Sequence, residues 1–233
     1  IVGNDWLERR HSVFMGHAVE LRQKLPGGYV EWLAKPGADI SMAISGNPLD
    51  LMRVGIVEWS EACDSAGARL TARWTGEALV ISVHTLALHE FPAMIRRIEI
   101  RNTGAQAAMI SAIAVDRLAL RQDGAGILTA GLRDRRESAD WTTGERMAAV
   151  ELKGYGRLGW VLGLEEGGRF ALFSPDAEHC SVFAPGEAVL SPGQGYVSPW
   201  AFMIPYTGSP EEGALKVSGE LLQLFREIGR AHV

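Results

Sequence analysis

A chain of 233 residues with 47% hydrophobic and 22% charged residues is long enough to bury a substantial core in one large domain. A net charge of −5 provides no basic footprint for nucleic acid or an anionic membrane surface, and no apolar run approaches the roughly 18 residues a membrane span needs. Two cysteines far apart, Cys63 and Cys180, exclude a local zinc cluster; they read as free thiols, which suits a reducing, cytoplasmic compartment.

The opening Ile1-Val2-Gly3 carries neither a Met nor a signal-peptide pattern and reads as a trimmed or processed start. From about residue 12 to 206 the pattern is period-two alternation broken by turn residues. Strands are expected over 29–34, 39–45, 70–75 and 78–88, the last a β-branched apolar run (Val80, Ile81, Val83). Residues 96–101 alternate, with Arg97, Glu99 and Arg101 on one face and Ile98 and Ile100 on the other. Asn102-Thr103-Gly104 then reads as a hairpin turn into a long strand over 109–120.

The stretch 133–144 is the most polar and reads as a surface loop. Further strands are expected over 147–153, 157–165, 169–174, 179–183, 187–190 and 196–206, with Glu166-Gly167-Gly168 as a hairpin loop. Pro199 and Pro205 lack a donor N–H, so the last strand should have an exposed edge or a bulge there. Beyond Ser209 the period becomes helical: Leu215, Ser218, Leu221, Leu222, Phe225 and Ile228 form one stripe, and Gly229 stops it. The expected architecture is all-β, a large antiparallel sandwich forming one domain over 1–233, closed by a helix over 210–229.

No Gly-x-Ser-x-Gly elbow, phosphate loop, dinucleotide fingerprint or His-Glu-x-x-His helix occurs, so no cofactor or metal is expected. Among six histidines, His84 on a strand and His179 beside Glu178 in a polar turn are the candidates for proton transfer. His11, His17 and His232 sit in presumed termini and carry no signal. Trp141, in the charged loop with Arg136 and Asp140, and Trp200 are the candidates for stacking on a sugar ring. Trp59, Trp74 and Trp160 sit in contexts that favour the core.

The run Gly193-Gln194-Gly195-Tyr196-Val197-Ser198-Pro199, with Tyr206-Thr207-Gly208 and a following helix, is similar to the end of a particular domain. That domain is the N-terminal β-supersandwich of α-galactosidase and raffinose-synthase type glycoside hydrolases. Phe91 through Gly104 resembles that family's central strand and turn; the likeness covers about residues 70–228. It implies a galactose mutarotase-like supersandwich without the catalytic barrel, hence no catalytic aspartates to carry over. The Asn-His-Pro type motif of galactose mutarotases is not matched. The leading expectation is therefore a non-catalytic, carbohydrate-associated module whose partners are a sugar, a barrel domain or protein, or a second copy. The alternatives are a mutarotase-like epimerase and a structural interaction module.

Overall fold

The computed structural model describes residues 1–14, 16–120, 125–126, 129–131, 134–136, 147–152, 158–165, 169–172, 180–208 and 220–221. Among these residues the chain is almost wholly antiparallel strand, as the alternation predicts. The strands form three principal sheets and a small ribbon.

The largest sheet runs in the order Ala125–Gly126, Met147–Leu152, Leu158–Leu164, Ala201–Thr207, Met94–Asn102, Leu79–Leu88, Gly67–Thr75, Val57–Cys63. Gly195–Val197 adds to Met94–Asn102. A second sheet has Ala108–Leu118 at its centre, flanked by Cys180–Phe183, Ala188–Leu190 and Ser41–Ile44. The third is N-terminal, built from Val2–Gly3, Leu7–His11, Ala18–Leu25 and Gly28–Glu31.

Burial follows the pleat. Leu70, Ala72 and Trp74, then Ile81 and Val83, then Ile98 and Ile100 point inward from three neighbouring strands. They meet Ile110, Ile113 and Val115 of the second sheet and Leu7 and Leu21 of the third in one continuous core. Removing each such large apolar side chain from water stabilises by about 1.5–3 kcal/mol. Trp32 and Trp160 are fully buried with ring centroids 4.3 Å apart. Trp160 donates its indole N–H to Gln23 Oε1 at 3.0 Å, which settles the polar handle that a buried tryptophan carries.

The hairpin expected at Asn102-Thr103-Gly104 does not form. Met94–Asn102 already has Leu79–Leu88 on one edge and Gly195–Val197 and Ala201–Thr207 on the other, and a strand has only two edges. The chain instead arches into the second sheet. Asn102 fastens the arch: its Nδ2 donates to the carbonyls of Gln106 (2.7 Å) and Leu190 (2.8 Å), and its Oδ1 accepts from Gly104 N at 3.0 Å. The expected hairpin around 166–168 fails for the same reason. Leu158–Leu164 lies in the large sheet between Met147–Leu152 and Ala201–Thr207, whereas Arg169–Leu172 pairs with Cys180–Phe183 in the second.

Other expectations shift in smaller ways. The run 196–206 is two strands, interrupted around Pro199. There Ile98 N donates to the Ser198 hydroxyl at 2.9 Å, a side chain filling the ladder position. Pro205 pairs with Trp160, and from Ile204 onward its strand has ladder partners on one side only, so the missing donor is tolerated. Part of the stretch read as a loop, Asp134–Arg136, is a strand paired with Thr129–Gly131. Of the helix expected over 210–229 only Glu220 and Leu221 are described, both in helical backbone.

The N-terminal segment is not a loose end, because it forms a sheet whose return loop closes on the large one. At Gly16 the backbone is left-handed (φ 69°), and a Cβ there would lie 2.3 Å from the Trp74 ring. Gly16→Ala is expected to cost about 1–3 kcal/mol from backbone strain and overpacking together. An unchanged thermal midpoint would contradict this packing.

Candidate functional site

The outer face of the large sheet is divided. One half is apolar: Leu86, Leu88, Ala93, Ile95, Val161, Phe202, Ile204 and Tyr206 form a second cluster that Leu221 covers. The other half is polar. Registers Thr71↔His84↔Arg97 and Arg73↔Ser82↔Glu99 place these six side chains in two adjoining rows, with Arg101 one step further along.

Within this half the contacts are specific. Thr71 Oγ1 lies 3.1 Å from His84 Nδ1. His84 Nε2 lies 3.5 Å from Glu99 Oε2 and makes no hydrogen bond of its own. Arg97 Nη2 pairs with Glu99 Oε1 at 2.7 Å, and the Arg97 guanidinium sits 4.6 Å over the Trp200 ring. Trp200 N donates to Glu165 Oε2 at 3.3 Å, and Glu165 N donates to Trp200 O at 2.8 Å. Burial pushes the His84 imidazole below its ordinary value; Glu99 opposes this and Arg97 adds to it. A neutral imidazole with an unmade hydrogen bond, a carboxylate, a guanidinium and an indole thus adjoin on one surface. Such groups exchange hydrogen bonds with hydroxyls, and the imidazole is the one among them suited to accept a proton.

A different charged cluster lies inward, where the three sheets meet. Arg9 comes from the N-terminal sheet, Arg96 from the large sheet, Asp116 from the second sheet and Asp39 from the segment before it. Arg9 holds Asp116 through both Nη1 (3.2 Å) and Nη2 (2.8 Å), and reaches Asp39 at 2.9 Å. Arg96 reaches Asp39 at 2.9 Å and Asp116 at 3.0 Å. His11 Nε2 lies 3.0 Å from Asp39 Oδ2.

Burial raises Asp39, but Arg96 and Arg9 outweigh it and hold the carboxyl well below the ordinary range. Burial likewise lowers the Arg9 guanidinium, and Asp116 and Asp39 raise it beyond its usual value. Burial depresses His11, so it stands neutral and donates Nε2–H to the carboxylate, which can only accept. Arg9, Arg96, Asp39 and Asp116 are all buried, so two positive and two negative charges balance away from water. A dimple too tight to hold a water molecule adjoins them and is lined by His11, Gly16, Trp59, Thr85 and Arg96. The cluster ties the sheets together through its ion pairs, while Arg9 Nε, Arg96 Nε, Asp39 Oδ1 and His11 Nδ1 make no hydrogen bond within it.

The residues singled out from sequence fare differently. His84 and Trp200 are brought to the same outer face, linked through Arg97, although Arg97 covers the Trp200 ring where an open stacking platform was expected. His179, Glu178, Trp141 and Asp140 lie outside the described residues. Arg136 ends the strand Asp134–Arg136, with only its backbone described. Trp74 and Trp160 are core, as expected, and Trp59 is partly buried, donating to Val13 O at 3.0 Å.

The cysteines are free: Cys180 is buried, its thiol pushed up by burial, and Cys63 is exposed with Sγ 3.9 Å from His89 Nε2. Among the described residues no group of three or more His, Cys, Asp or Glu could hold a metal, and no helix is long and apolar enough to cross a membrane. Sequence reasoning missed the inward cluster, and set His11 aside. The available signal was a charge in the core-facing phase of an alternating strand: Arg96 between Met94 and Ile98, and Arg9 beyond Leu7.

No protein-family model and no curated protein matches the chain. Solved structures do. A polysaccharide lyase superposes with a TM-score of 0.53 at 14% identity, over 93% of this chain and 34% of that one. The α-galactosidase from Lactobacillus brevis superposes with a TM-score of 0.54 at 8% identity, over 86% of this chain and 39% of that one. The chain spans about a third of the first and well under half of the second. At these identities the likeness is one of fold, shared with part of two larger carbohydrate-active enzymes.

Proposed function

We propose that the chain is a carbohydrate-associated β-supersandwich module, of the kind that accompanies glycoside hydrolases, and that it contacts sugar through the polar half of its large sheet. The observation that carries this reading is the Thr71–His84–Glu99–Arg97–Trp200 array. It is a set of adjoining donors and acceptors beside an indole, on a fold that carbohydrate-active enzymes also use. Catalytic groups would then come from another domain or protein, in keeping with the fraction of those enzymes the chain spans.

Isothermal titration against a panel of neutral and acidic oligosaccharides tests this. Arg97→Ala is expected to weaken binding about tenfold or more, since it removes a charge-assisted contact and frees Glu99 from its partner. The thermal midpoint should change little, because Arg97 is partly exposed. Absence of binding to every member of the panel would remove the reading.

A second reading, an aldose epimerase or mutarotase, is favoured by one specific feature: the Thr71–His84–Glu99 chain, which resembles an oriented general base. Mutarotation of free aldoses followed by polarimetry, abolished in His84→Gln, would establish it in place of the first.

A further inference from the structure

The polar half of the large sheet is not evenly charged. Its registers bring Arg69, Arg73, Arg97 and Arg101 to one face, against Glu58 and Glu99. Asp64 beside Arg69 and Glu165 beside Trp200 offset part of this charge, so the positive character of the face rests on Arg73 and Arg101. Two of the four arginines are committed: Arg97 to Glu99 and Trp200, and Arg69 to Asp64 at 3.6 Å. Arg73 and Arg101 are both exposed, and among the described residues neither has an ion-pair partner, although Glu58 stands opposite Arg73 in register.

With strands about 4.8 Å apart and a rise of about 3.4 Å per residue, the Cα atoms of Arg73 and Arg101 stand about 12 Å apart. The floor between them is Val80, paired with Arg101, and Ser82, paired with Arg73 and Glu99. Both are half-buried whereas Arg73 and Arg101 are exposed, so the register outlines a shallow trough flanked by the two arginines. Glu99, on the trough's wall, is already neutralised by Arg97.

We propose that this trough selects an acidic saccharide, whose carboxylate is gripped by Arg73 or Arg101 while its hydroxyls meet Ser82 and the His84–Glu99 pair; this rests on the carbohydrate reading above. The guanidinium fork matches a carboxylate in shape as well as charge, and a ligand anion would supply the partner that the described residues do not. A sulfate ester presents the same chemistry to an arginine, so the source of the anion is a question for the experiment.

The test is titration of the whole chain with four probes of matched length: an oligogalacturonate, a neutral galactan oligosaccharide, a sulfated galactan oligosaccharide and a short single-stranded DNA. The oligogalacturonate is expected to bind at least tenfold tighter than the neutral galactan, and less tightly as salt rises. The double variant Arg73→Ala/Arg101→Ala should erase that preference without moving the thermal midpoint, as both side chains are exposed and have no ion-pair partner among the described residues.

Tight binding of the sulfated galactan would support the inference and assign the anion to sulfate as well. Equal affinity for acidic and neutral sugars would overturn it and leave the carbohydrate reading standing. DNA binding as tight as oligogalacturonate would overturn it in favour of unselective polyanion attraction. If no sugar binds, both readings fall together.

Discussion

Replacing Arg9 by Ala is expected to remove about 3–5 kcal/mol of folding stability, because it strands two buried carboxylates that share it. Arg9 supplies three of the short contacts that hold Asp39 and Asp116, and it is the only member of the cluster drawn from the N-terminal sheet besides His11. Without it a single guanidinium, Arg96, faces two carboxylates, and one negative charge is left in the core unpaired. The N-terminal sheet also loses its charged tie to the other two, keeping neutral contacts such as those of His11 with Asp39 and of Gln23 with Trp160.

Urea unfolding should show a large fall in midpoint with a similar slope. Replacing Arg9, Arg96, Asp39 and Asp116 together with apolar residues of like volume should cost far less than the separate losses summed, since the desolvation penalty disappears with the charges. A loss below about 1 kcal/mol in Arg9→Ala would mean that the cluster is wet and open in solution.

Acid should unfold the protein in two stages. His11 has its folded pKa below the ordinary 6.5, so the unfolded chain takes up a proton first as pH falls. Its contribution is complete above about pH 6.5 and is lost below it, at up to about 1.4 kcal/mol per pH unit, until the folded group also titrates. Asp39 follows. Its folded pKa lies well below 3.8, so its contribution is present above that value and is lost as pH falls further towards the folded pKa. His84, less buried and shifted in the same direction, adds to the upper stage.

Thermal midpoints measured from pH 7.5 to 2 should fall below about pH 6.5 as the histidines take up protons, and fall again below about pH 3.8 as Asp39 begins to do so. His11→Gln should flatten much of the upper stage and spare the lower. A midpoint that rises between pH 7 and 5.5 would show that His11 is protonated in the folded state, contrary to its burial beside two arginines.

Strand phase was legible because side chains alternate at period two whatever the tertiary context. Arg97, Glu99 and Arg101 could be placed opposite Ile98 and Ile100 from their order alone, and the structure keeps that division. Connection was harder to read. Asn-Thr-Gly after a strand is turn chemistry in a hairpin and equally in an arch between sheets, and the two differ only in which edges are already occupied. Pro205 reads as an edge signal, and its place is an edge only because Met94–Asn102 stops pairing with its strand at Met203.

The candidate site divides in the same way. His84 and Trp200 each carried a local signal of residue type and context, but their kinship runs through Arg97 across three strands. His11 carried none, because its meaning depends on Asp39, Arg9 and Arg96, separated from one another by up to 87 positions in sequence. Trp141, Asp140, His179 and Glu178 remain proposals from sequence.

The sequence by itself determined an all-β chain, the phase of its principal strands, the core character of Trp74 and Trp160 and the polar row of Arg97, Glu99 and Arg101. All of these follow from local sterics and period-two burial. Only the tertiary structure decided the crossings between sheets, the buried Arg9–Asp39–Asp116–Arg96 tie and the division of the outer face into a Leu221-covered half and a polar half. Each of those depends on which strand edges and side chains meet across long separations, and no local pattern encodes such a meeting.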